Sequence, residues 1–209
     1  MGSLLSSLPF AALLTYSPRG QSEISLRSRR VRDAIKAARH DILERGVQKL
    51  RELGGMEPFL GADVVLVPAP RSAPIRDATT LWPAQRICTQ LVAGRLGREV
   101  LPCLTRTVAV PKSAFAASGE RPDVSQHFES MAVEGLLVRA KRITIVDDVI
   151  TKGATLLAAA SRVQEAFPEA EVRAFALLRT MGLVEEIDQI VDPCVGTITL
   201  VRGDSVRHP

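Results

Sequence analysis

Apolar runs and helical apolar patterns alternate along this chain. Short runs rich in β-branched residues are typical of buried strands, and the longer stretches between them repeat apolar residues at helical spacing. The runs predict strands at 10–15, 64–67, 99–104, 143–146, 171–179 and 196–201, and the helical patterns predict helices at 27–53, 82–97, 154–167 and 184–191. This alternation predicts an α/β protein whose mostly parallel sheet carries helices on both faces.

The helix predicted at 27–53 is long and has a polar outer face. Apolar residues such as Val31, Ile35 and Ile42 share one face, and Gly54 follows the last turn. Its beginning carries four arginines, which favour either a nucleic-acid or protein partner or simply a solvated helix end: Arg27, Arg29, Arg30 and Arg32. No aromatic residue is interleaved with them, although aromatics are common where single-stranded nucleic acid binds.

Composition and charge narrow the class of protein. At 209 residues and 22.6 kDa, the chain has the length expected of a single domain covering 1–209. Its hydrophobic share of 46% is ordinary for a globular protein, and no apolar stretch is long enough for a membrane span, so no membrane partner is expected. The formal charge of +4 fits anionic substrates as well as nucleic acid.

The three cysteines predict neither a zinc site nor a disulfide framework. They have no metal-ligand spacing and their number is odd: Cys88, Cys103 and Cys194. A reduced protein of the cytoplasm is the simplest interpretation.

The stretch ITIVDDVITKGATL, at 143–156, carries the strongest chemical signal. Asp147 and Asp148 stand where a buried strand is expected to stop, and Gly153 opens the next helix. The loop would lie at the carboxyl end of a parallel strand, where the N–H groups of the following helix make an anion site. Gly153 allows the backbone to approach a ligand, and Thr151 and Thr155 add hydroxyl donors.

Two carboxylates beside an anion site favour a sugar phosphate as the ligand. Vicinal hydroxyls donate to the acids, the loop amides hold the phosphate, and a divalent cation offsets the repulsion between like charges. The alternative is a solvated strand end, which leaves the acid pair and the loop composition unexplained.

The run VDDVITKGAT closely resembles the phosphoribosyl pyrophosphate motif of type I phosphoribosyltransferases. The resemblance implies the type I fold with a flexible hood loop, Mg²⁺ as cofactor, and transfer of the phosphoribosyl group to a nitrogen nucleophile with release of pyrophosphate. It implies that Asp147 and Asp148 are the catalytic acids, that they hold the ribose hydroxyls, and that they bind the metal directly or through water. It places the 5′-phosphate in a loop made of Thr151, Lys152, Gly153, Ala154 and Thr155.

A second predicted strand, at 64–67, ends in the proline-rich turn PAPRS. If it lies parallel to the strand at 143–146, both loops face one crevice. The corresponding loop of type I enzymes binds pyrophosphate, which implies that role for Ala69, Pro70, Arg71 and Ser72. The alternative is a surface turn with a free arginine.

Residues 105–128 have no sustained periodicity and predict a long loop. In type I enzymes a flexible loop closes over the substrate, so Arg106, Lys112 and Arg121 are candidates for sealing the phosphates from water. His127 is either a proton donor or acceptor in this loop or an ordinary surface or hinge histidine.

The order of motifs most resembles the phosphoribosyltransferase domain of the ComF competence-protein family. The matching runs are TYS, AIK, VVLVPAP, LTR, GERPDVSQHF and ITIVDDVITKGAT. The chain lacks that family's amino-terminal zinc-binding cysteine pairs, and RDATTLWPAQ replaces its usual Arg-Gly-Phe-Asn run. The resemblance implies phosphoribosyl pyrophosphate or a related ribose phosphate as ligand. It leaves open a homodimer, and also a non-catalytic sensor or a DNA- or protein-binding factor in DNA uptake or defence.

Overall fold

The structure is a computed structural model, and it describes residues 3–75, 77, 79–111, 122–135 and 140–209. Nine strands and five helices lie in these ranges: β1 (Ser7–Tyr16), α1 (Glu23–Lys36), α2 (His40–Glu52), β2 (Val65–Pro68), α3 (Pro83–Ala93), β3 (Glu99–Val100), β4 (Leu104–Arg106), α4 (Val124–Glu129), β5 (Met131–Val133), β6 (Arg142–Ile150), α5 (Ala154–Ala166), β7 (Glu171–Thr180), β8 (Val191–Val201) and β9 (Asp204–His208). In the part of the chain so described, no helix is long and apolar enough to cross a membrane.

A seven-stranded sheet organises the fold, in the order β3-β2-β6-β7-β1-β8-β9. The first five of these strands pair in parallel, and β8 and β9 add an antiparallel edge. The strand β6 lies between β2 and β7, so it is hydrogen-bonded on both sides. A separate two-stranded ladder joins β4 to β5. The predicted α/β fold with a mostly parallel sheet is confirmed.

Helices cover both faces of the sheet, as predicted. One core contains Ile145 of β6 and Ala174 of β7 together with the apolar side of α5. The other contains Val146 and Phe175, the next residues along the same strands, with side chains from α1, α2 and α3. Successive strand residues point to opposite faces, and this alternation produces the two cores.

Three predictions about local structure are wrong. The single helix at 27–53 is two helices, because α1 ends at Lys36 and α2 begins at His40. The short helix at 184–191 is absent: residues 182–190 form bends, and β8 begins at Val191. The loop at 105–128 is interrupted in its described parts by the end of β4 and by α4.

The break between α1 and α2 has a backbone cause. Ala38 has a φ of +49°, in the left-handed region that disfavours residues with a Cβ atom. Its N–H bonds the carbonyl of Ile35 at 2.8 Å, and the N–H of Arg39 bonds the carbonyl of Ala34 at 3.0 Å. This pair of bonds is a Schellman motif, which closes the helix and turns the chain. Glycine is the usual residue at this position, and α2 has it there as Gly54.

We therefore expect Ala38→Gly to stabilise the protein. Relief of the left-handed strain, about 1–2 kcal/mol, outweighs the added freedom of glycine in the unfolded chain, and the free energy of unfolding should rise by about 0.5 kcal/mol. The matched control is Ala37→Gly, since Ala37 has an ordinary φ of −80° and should lose about 0.5–1 kcal/mol. Urea denaturation of both variants checks this. Equal losses in the two would contradict the assigned role of the Ala38 backbone.

Candidate functional site

The carboxyl ends of the central parallel strands bring the candidate residues to one edge of the sheet. Val146 of β6 pairs with Pro68, the last residue of β2. Asp147 pairs with Ala176 of β7. The loop 151–153 leaves β6 at this edge and enters α5. The predicted order of strand, tight loop and helix is therefore present, and it places the loop and the β2 turn on the same side.

Gly153 shapes the entry into α5. It caps the helix with a φ of +97°, a conformation that favours glycine. A Cβ atom at this position would lie 2.7 Å from Cδ1 of Ile198 in β8, which leaves no room for a side chain. No side chain caps this helix start, so its first N–H groups remain available to a ligand. A helix end of this kind attracts anions.

A cavity of about 380 Å³ opens in front of this helix end. It is lined by the loop and the first turn of α5, by the end of β6, and by residues near α4 and β9: Pro122, Asp123, His127, Asp147, Val149, Ile150, Thr151, Lys152, Gly153, Ala154, Thr155, Leu156 and Asp204. All five residues predicted to hold a 5′-phosphate line this cavity. The structure thus brings them together with Asp147.

The acid pair does not end its strand, contrary to the sequence-based expectation. β6 continues through both acids to Ile150, and it keeps its pairing with β7 there. Neighbouring strand residues point to opposite faces, so the two side chains leave β6 in different directions. Their carboxyl groups nevertheless stay close enough for the charge and a side-chain hydrogen bond of Asp148 to act on Asp147. Asp147 lines the cavity on the α5 side. Asp148 is not among the lining residues, and its Oδ2 lies 3.1 Å from Nζ of Lys36 in α1.

The surroundings of Asp147 disfavour its negative charge. Burial raises the pKa of its carboxyl group well above the usual range, and the charge of Asp148 adds to the rise. One oxygen of Asp147 accepts a 2.8 Å hydrogen bond from the Asp148 backbone N–H, and Lys36 contributes a positive charge, but these favourable contacts are smaller in effect. An added cation near Asp147 would therefore stabilise the ionised form.

Lys36 is a site residue that sequence reasoning missed. Burial acts to lower its pKa, but the charge and hydrogen bond of Asp148 outweigh that effect, and the pKa of Lys36 is raised. Lys36 and Asp148 are 112 positions apart in the sequence. The run AIK, at 34–36, matched the family pattern without assigning a role to the lysine. A basic residue in the last turn of an amphipathic helix is otherwise an ordinary feature of helix ends.

The turn predicted to bind pyrophosphate lies at the end of β2, outside the lining of the cavity. Its backbone is held firmly: the N–H of Ala69 bonds the carbonyl of Val146 at 2.8 Å, and the indole N–H of Trp82 bonds the carbonyl of Ala69 at 2.8 Å. The carbonyl of Ser72 accepts a 2.8 Å bond from the N–H of Val110. Pro70 is buried between these contacts, and the turn is thus rigid on the cavity's edge of the sheet.

Arg106 is not the exposed loop cation that the sequence predicted. It is the last residue of β4 and its side chain is buried. Its Nε donates to the carbonyl of Arg71 at 2.9 Å, and its Nη1 donates to Oγ of Ser130 at 2.6 Å and to the carbonyl of His127 at 3.3 Å. Burial lowers its pKa to about 10. Arg106 therefore connects the β2 turn with α4. The other two loop candidates, Lys112 and Arg121, lie outside the described residues.

Lys152, in the loop 151–153, is paired with a residue of β9. Its Nζ lies 2.6 Å from Oδ2 of Asp204, the first residue of β9. Arg207 of the same strand donates to the carbonyl of Ile150 at 3.3 Å. The β8–β9 hairpin, which was predicted only as a single strand, therefore fastens the loop from one side. It also places the Asp204 carboxylate in the cavity lining.

His127 lies in the cavity wall, although the sequence suggested a loop or surface position. It is carried by α4, whose first turn is fixed by a capping box between Asp123 and Gln126. Its side chain is buried, and its Nε2 lies 3.4 Å from Oγ1 of Thr155. Burial, together with the positive charge of Arg106, lowers the pKa of His127 to about 4. The imidazole is therefore neutral near pH 7.

The charges that line the cavity do not balance. Asp123, Asp147 and Asp204 bring carboxyl groups, Lys152 is the one cation in the lining that the structure describes, and His127 is neutral. Within the described ranges, no group of three or more His, Cys, Asp or Glu side chains is close enough to hold a metal ion. The site thus combines an anion-binding helix end with an excess of carboxylates.

No protein-family model matches this chain, and no curated protein matches it. Among solved structures, a purine phosphoribosyltransferase from Pyrococcus horikoshii aligns over 85% of this chain and 98% of its own, with 19% identity and a TM-score of 0.31. A hypoxanthine phosphoribosyl transferase from Trypanosoma cruzi aligns over 78% and 72%, with 15% identity and a TM-score of 0.30. An adenine phosphoribosyltransferase from Leishmania donovani aligns over 78% and 75%, with 16% identity and a TM-score of 0.30. Likenesses of this size identify neither the substrate nor the activity of this chain.

Proposed function

We propose that this chain binds phosphoribosyl pyrophosphate with magnesium as a type I phosphoribosyltransferase-type protein. One observation carries the proposal: the open helix end at Gly153 and the carboxylate of Asp147 face the same 380 Å³ cavity. The helix end suits a phosphate and the carboxylate suits ribose hydroxyls. A ribose 5-phosphate contains both groups a short distance apart. The resemblance of VDDVITKGAT to the family motif supports the same ligand.

The charge of the site favours a ligand that arrives with a cation. Three carboxyl groups and one lysine line the cavity, so a bare phosphate would meet net negative charge. Magnesium commonly binds through one or two carboxylates and completes its coordination with water and substrate phosphate oxygens. Asp147 fits this role, because burial and the charge of Asp148 raise its pKa and a bound cation would favour the ionised carboxylate. Bound magnesium would neutralise charge on the leaving pyrophosphate.

The residues of the chain would mainly align the ligand for transfer. The loop 151–155 would hold the 5′-phosphate, Asp147 would accept from the ribose hydroxyls, and the turn 69–72 would contact pyrophosphate on the same edge of the sheet. A nitrogen nucleophile would then attack the anomeric carbon as pyrophosphate leaves. The bond that forms is C–N and the bond that breaks is the C–O bond to pyrophosphate. Alignment of this kind lowers the barrier without a covalent intermediate.

A non-catalytic sensor on the same fold is the second candidate. The observation in its favour is the ion pair between Asp148 and Lys36, which leaves only Asp147 of the acid pair in the cavity lining. A sensor needs to hold a ribose phosphate but needs no acceptor. The order of motifs resembles the ComF family, and a DNA or protein partner in DNA uptake or defence would suit a sensor of this type.

The two acids should differ in their effect on binding. Asp147→Asn removes a carboxylate from the cavity and should weaken binding of magnesium and phosphoribosyl pyrophosphate at least tenfold, because hydrogen bonds to charged groups are worth about 1.5–3 kcal/mol. Asp148→Asn, the matched control, breaks a partly exposed pair with Lys36 outside the cavity lining and should cost less binding. Titration calorimetry of both variants and the wild-type chain measures the difference. No heat from the wild-type chain at millimolar ligand, or a larger loss in Asp148→Asn, would refute this assignment.

Asp147→Asn should also stabilise the ligand-free protein at neutral pH. An acid whose folded-state pKa is raised stabilises the fold only while it is protonated, so wild-type stability falls as the pH rises from about 4 through the folded-state pKa. Each unit of that rise corresponds to about 1.4 kcal/mol. The variant should therefore melt higher than the wild type at pH 7, and the gap should close as the pH approaches 4. Thermal melts at several pH values test this; a variant that melts lower at every pH contradicts it.

Turnover separates the enzyme from the sensor. Incubation with phosphoribosyl pyrophosphate, magnesium and a panel of nucleobases should release pyrophosphate in a base-dependent manner. The rate of this release should be at least tenfold lower in Asp147→Asn than in the wild type. A coupled pyrophosphate assay with mass spectrometry of the nucleotide product gives the readout. Saturable binding of phosphoribosyl pyrophosphate without base-dependent release of pyrophosphate would favour the non-catalytic sensor over the enzyme.

A further inference from the structure

A neutral histidine stands beside the residue expected to contact the phosphate. His127 of α4 and Thr155 of α5 both line the cavity, with Nε2 of the imidazole 3.4 Å from Oγ1 of the threonine. His127 as a whole is 3% exposed. Its other ring nitrogen, Nδ1, is enclosed and has no hydrogen-bond partner among the residues that the structure describes. Among the described residues, Thr155 is therefore the one hydrogen-bond partner of this imidazole.

The number of protons on the ring follows from its surroundings. Arg106 donates to the backbone carbonyl of His127 at 3.3 Å, which brings a positive charge close to the ring. Of the ionisable groups around the imidazole, Arg106 opposes protonation and Asp123 favours it, while burial opposes it more strongly than either. A neutral imidazole has one N–H and one acceptor nitrogen. Two tautomers are then open to His127.

Burial distinguishes the two tautomers. With the proton on Nδ1, an enclosed N–H donor would have no partner among the described residues, and orphaned buried N–H groups are rare in proteins. With the proton on Nε2, the single donor faces Oγ1 of Thr155, and only an acceptor is left unpaired. The second arrangement costs less.

We infer that His127 is a positioning residue whose Nε2–H donates to the Thr155 hydroxyl, which leaves the hydroxyl's own proton free to donate to a phosphate oxygen in the cavity. A hydroxyl has one proton and two acceptor lone pairs, so accepting from His127 does not use up its proton. A hydroxyl donor aimed at an anion makes a short, charge-assisted bond. His127 thus acts on the ligand through Thr155, without touching it. The inference rests on the proposed function, since it assumes a phosphate in this cavity.

The tautomer can be measured on the unmodified protein without any ligand. The chain contains three histidines, so nitrogen-15 spectra of the imidazole rings are simple to assign, with His127→Phe removing the signal of interest. At pH 7 the His127 ring should be neutral with its proton on Nε2. A proton on Nδ1, or a doubly protonated ring, overturns the inference.

Binding of ribose 5-phosphate with magnesium tests the coupling to the ligand. His127→Phe and Thr155→Val should each weaken binding about tenfold, and the double variant should be no weaker than either, because the two side chains form one unit. His127→Gln, which keeps an N–H donor of similar reach, should recover binding to within about threefold of the wild type. Rescue by glutamine separates a hydrogen-bonding role from simple packing between α4 and α5.

The outcomes of this experiment are distinct. Additive losses in the double variant, or binding by His127→Gln as weak as by His127→Phe, overturn the role of His127 while the proposed function stands. Failure of the wild-type chain to bind both ribose 5-phosphate and phosphoribosyl pyrophosphate in the presence of magnesium refutes the proposed function and the inference together.

Discussion

The half-buried carboxylate of Asp147, on the central strand β6, is the constraint on which the candidate site depends. β6 is hydrogen-bonded to β2 and β7, so the strand passes the acid pair without leaving the sheet and places Asp147 in the lining of the cavity. Burial and the adjacent Asp148 both oppose ionisation there, as the raised pKa shows. The ionised carboxylate of Asp147 is unfavourable in the free protein, and a ligand that carried positive charge would stabilise it. Stability given up in this way is typical of functional sites.

Backbone contacts, more than exposed charges, keep the surroundings of this carboxylate in place. Arg106 joins the β2 turn to α4 through the carbonyls of Arg71 and His127, and so couples the two sides of the site. On the other side, the β8–β9 hairpin holds the loop 151–153 through the Lys152–Asp204 pair and the packing of Ile198 on Gly153. The ion pair is half exposed and contributes little energy, so the tight glycine contact is the stronger constraint on the loop. A rigid frame of this kind suits a site that works by alignment.

Much of the fold was predictable because its signals are local. Neighbouring residues carry the signals of the strands, of the helices and of the strand–loop–helix unit at 143–156, and a parallel α/β sheet follows from their alternation.

Two predicted helices failed where contacts outside the local pattern decided the backbone. The long helix at 27–53 breaks at Ala38, a residue whose helix propensity predicts the opposite; tertiary packing and the Schellman bonds override that propensity. The helix predicted at 184–191 is replaced by bends whose Glu186 accepts hydrogen bonds from residues 21, 22 and 25 near the start of α1.

The sequence by itself determined the strand–loop–helix unit at 143–156, because its apolar patterns are local and Gly153 permits the positive φ with which the loop enters α5. Only the tertiary structure decided which side chains face that loop. Lys36 meets Asp148 across 112 positions, Asp204 meets Lys152 across 52, and His127 meets Thr155 across 28. The same is true of the different neighbours of Asp147 and Asp148, because pairing with β7 extends β6 through both acids and the alternation of the strand directs adjacent side chains to opposite faces. Charge, burial and proton position depend on distances in space, and those distances are set by the packing of the whole sheet and its helices.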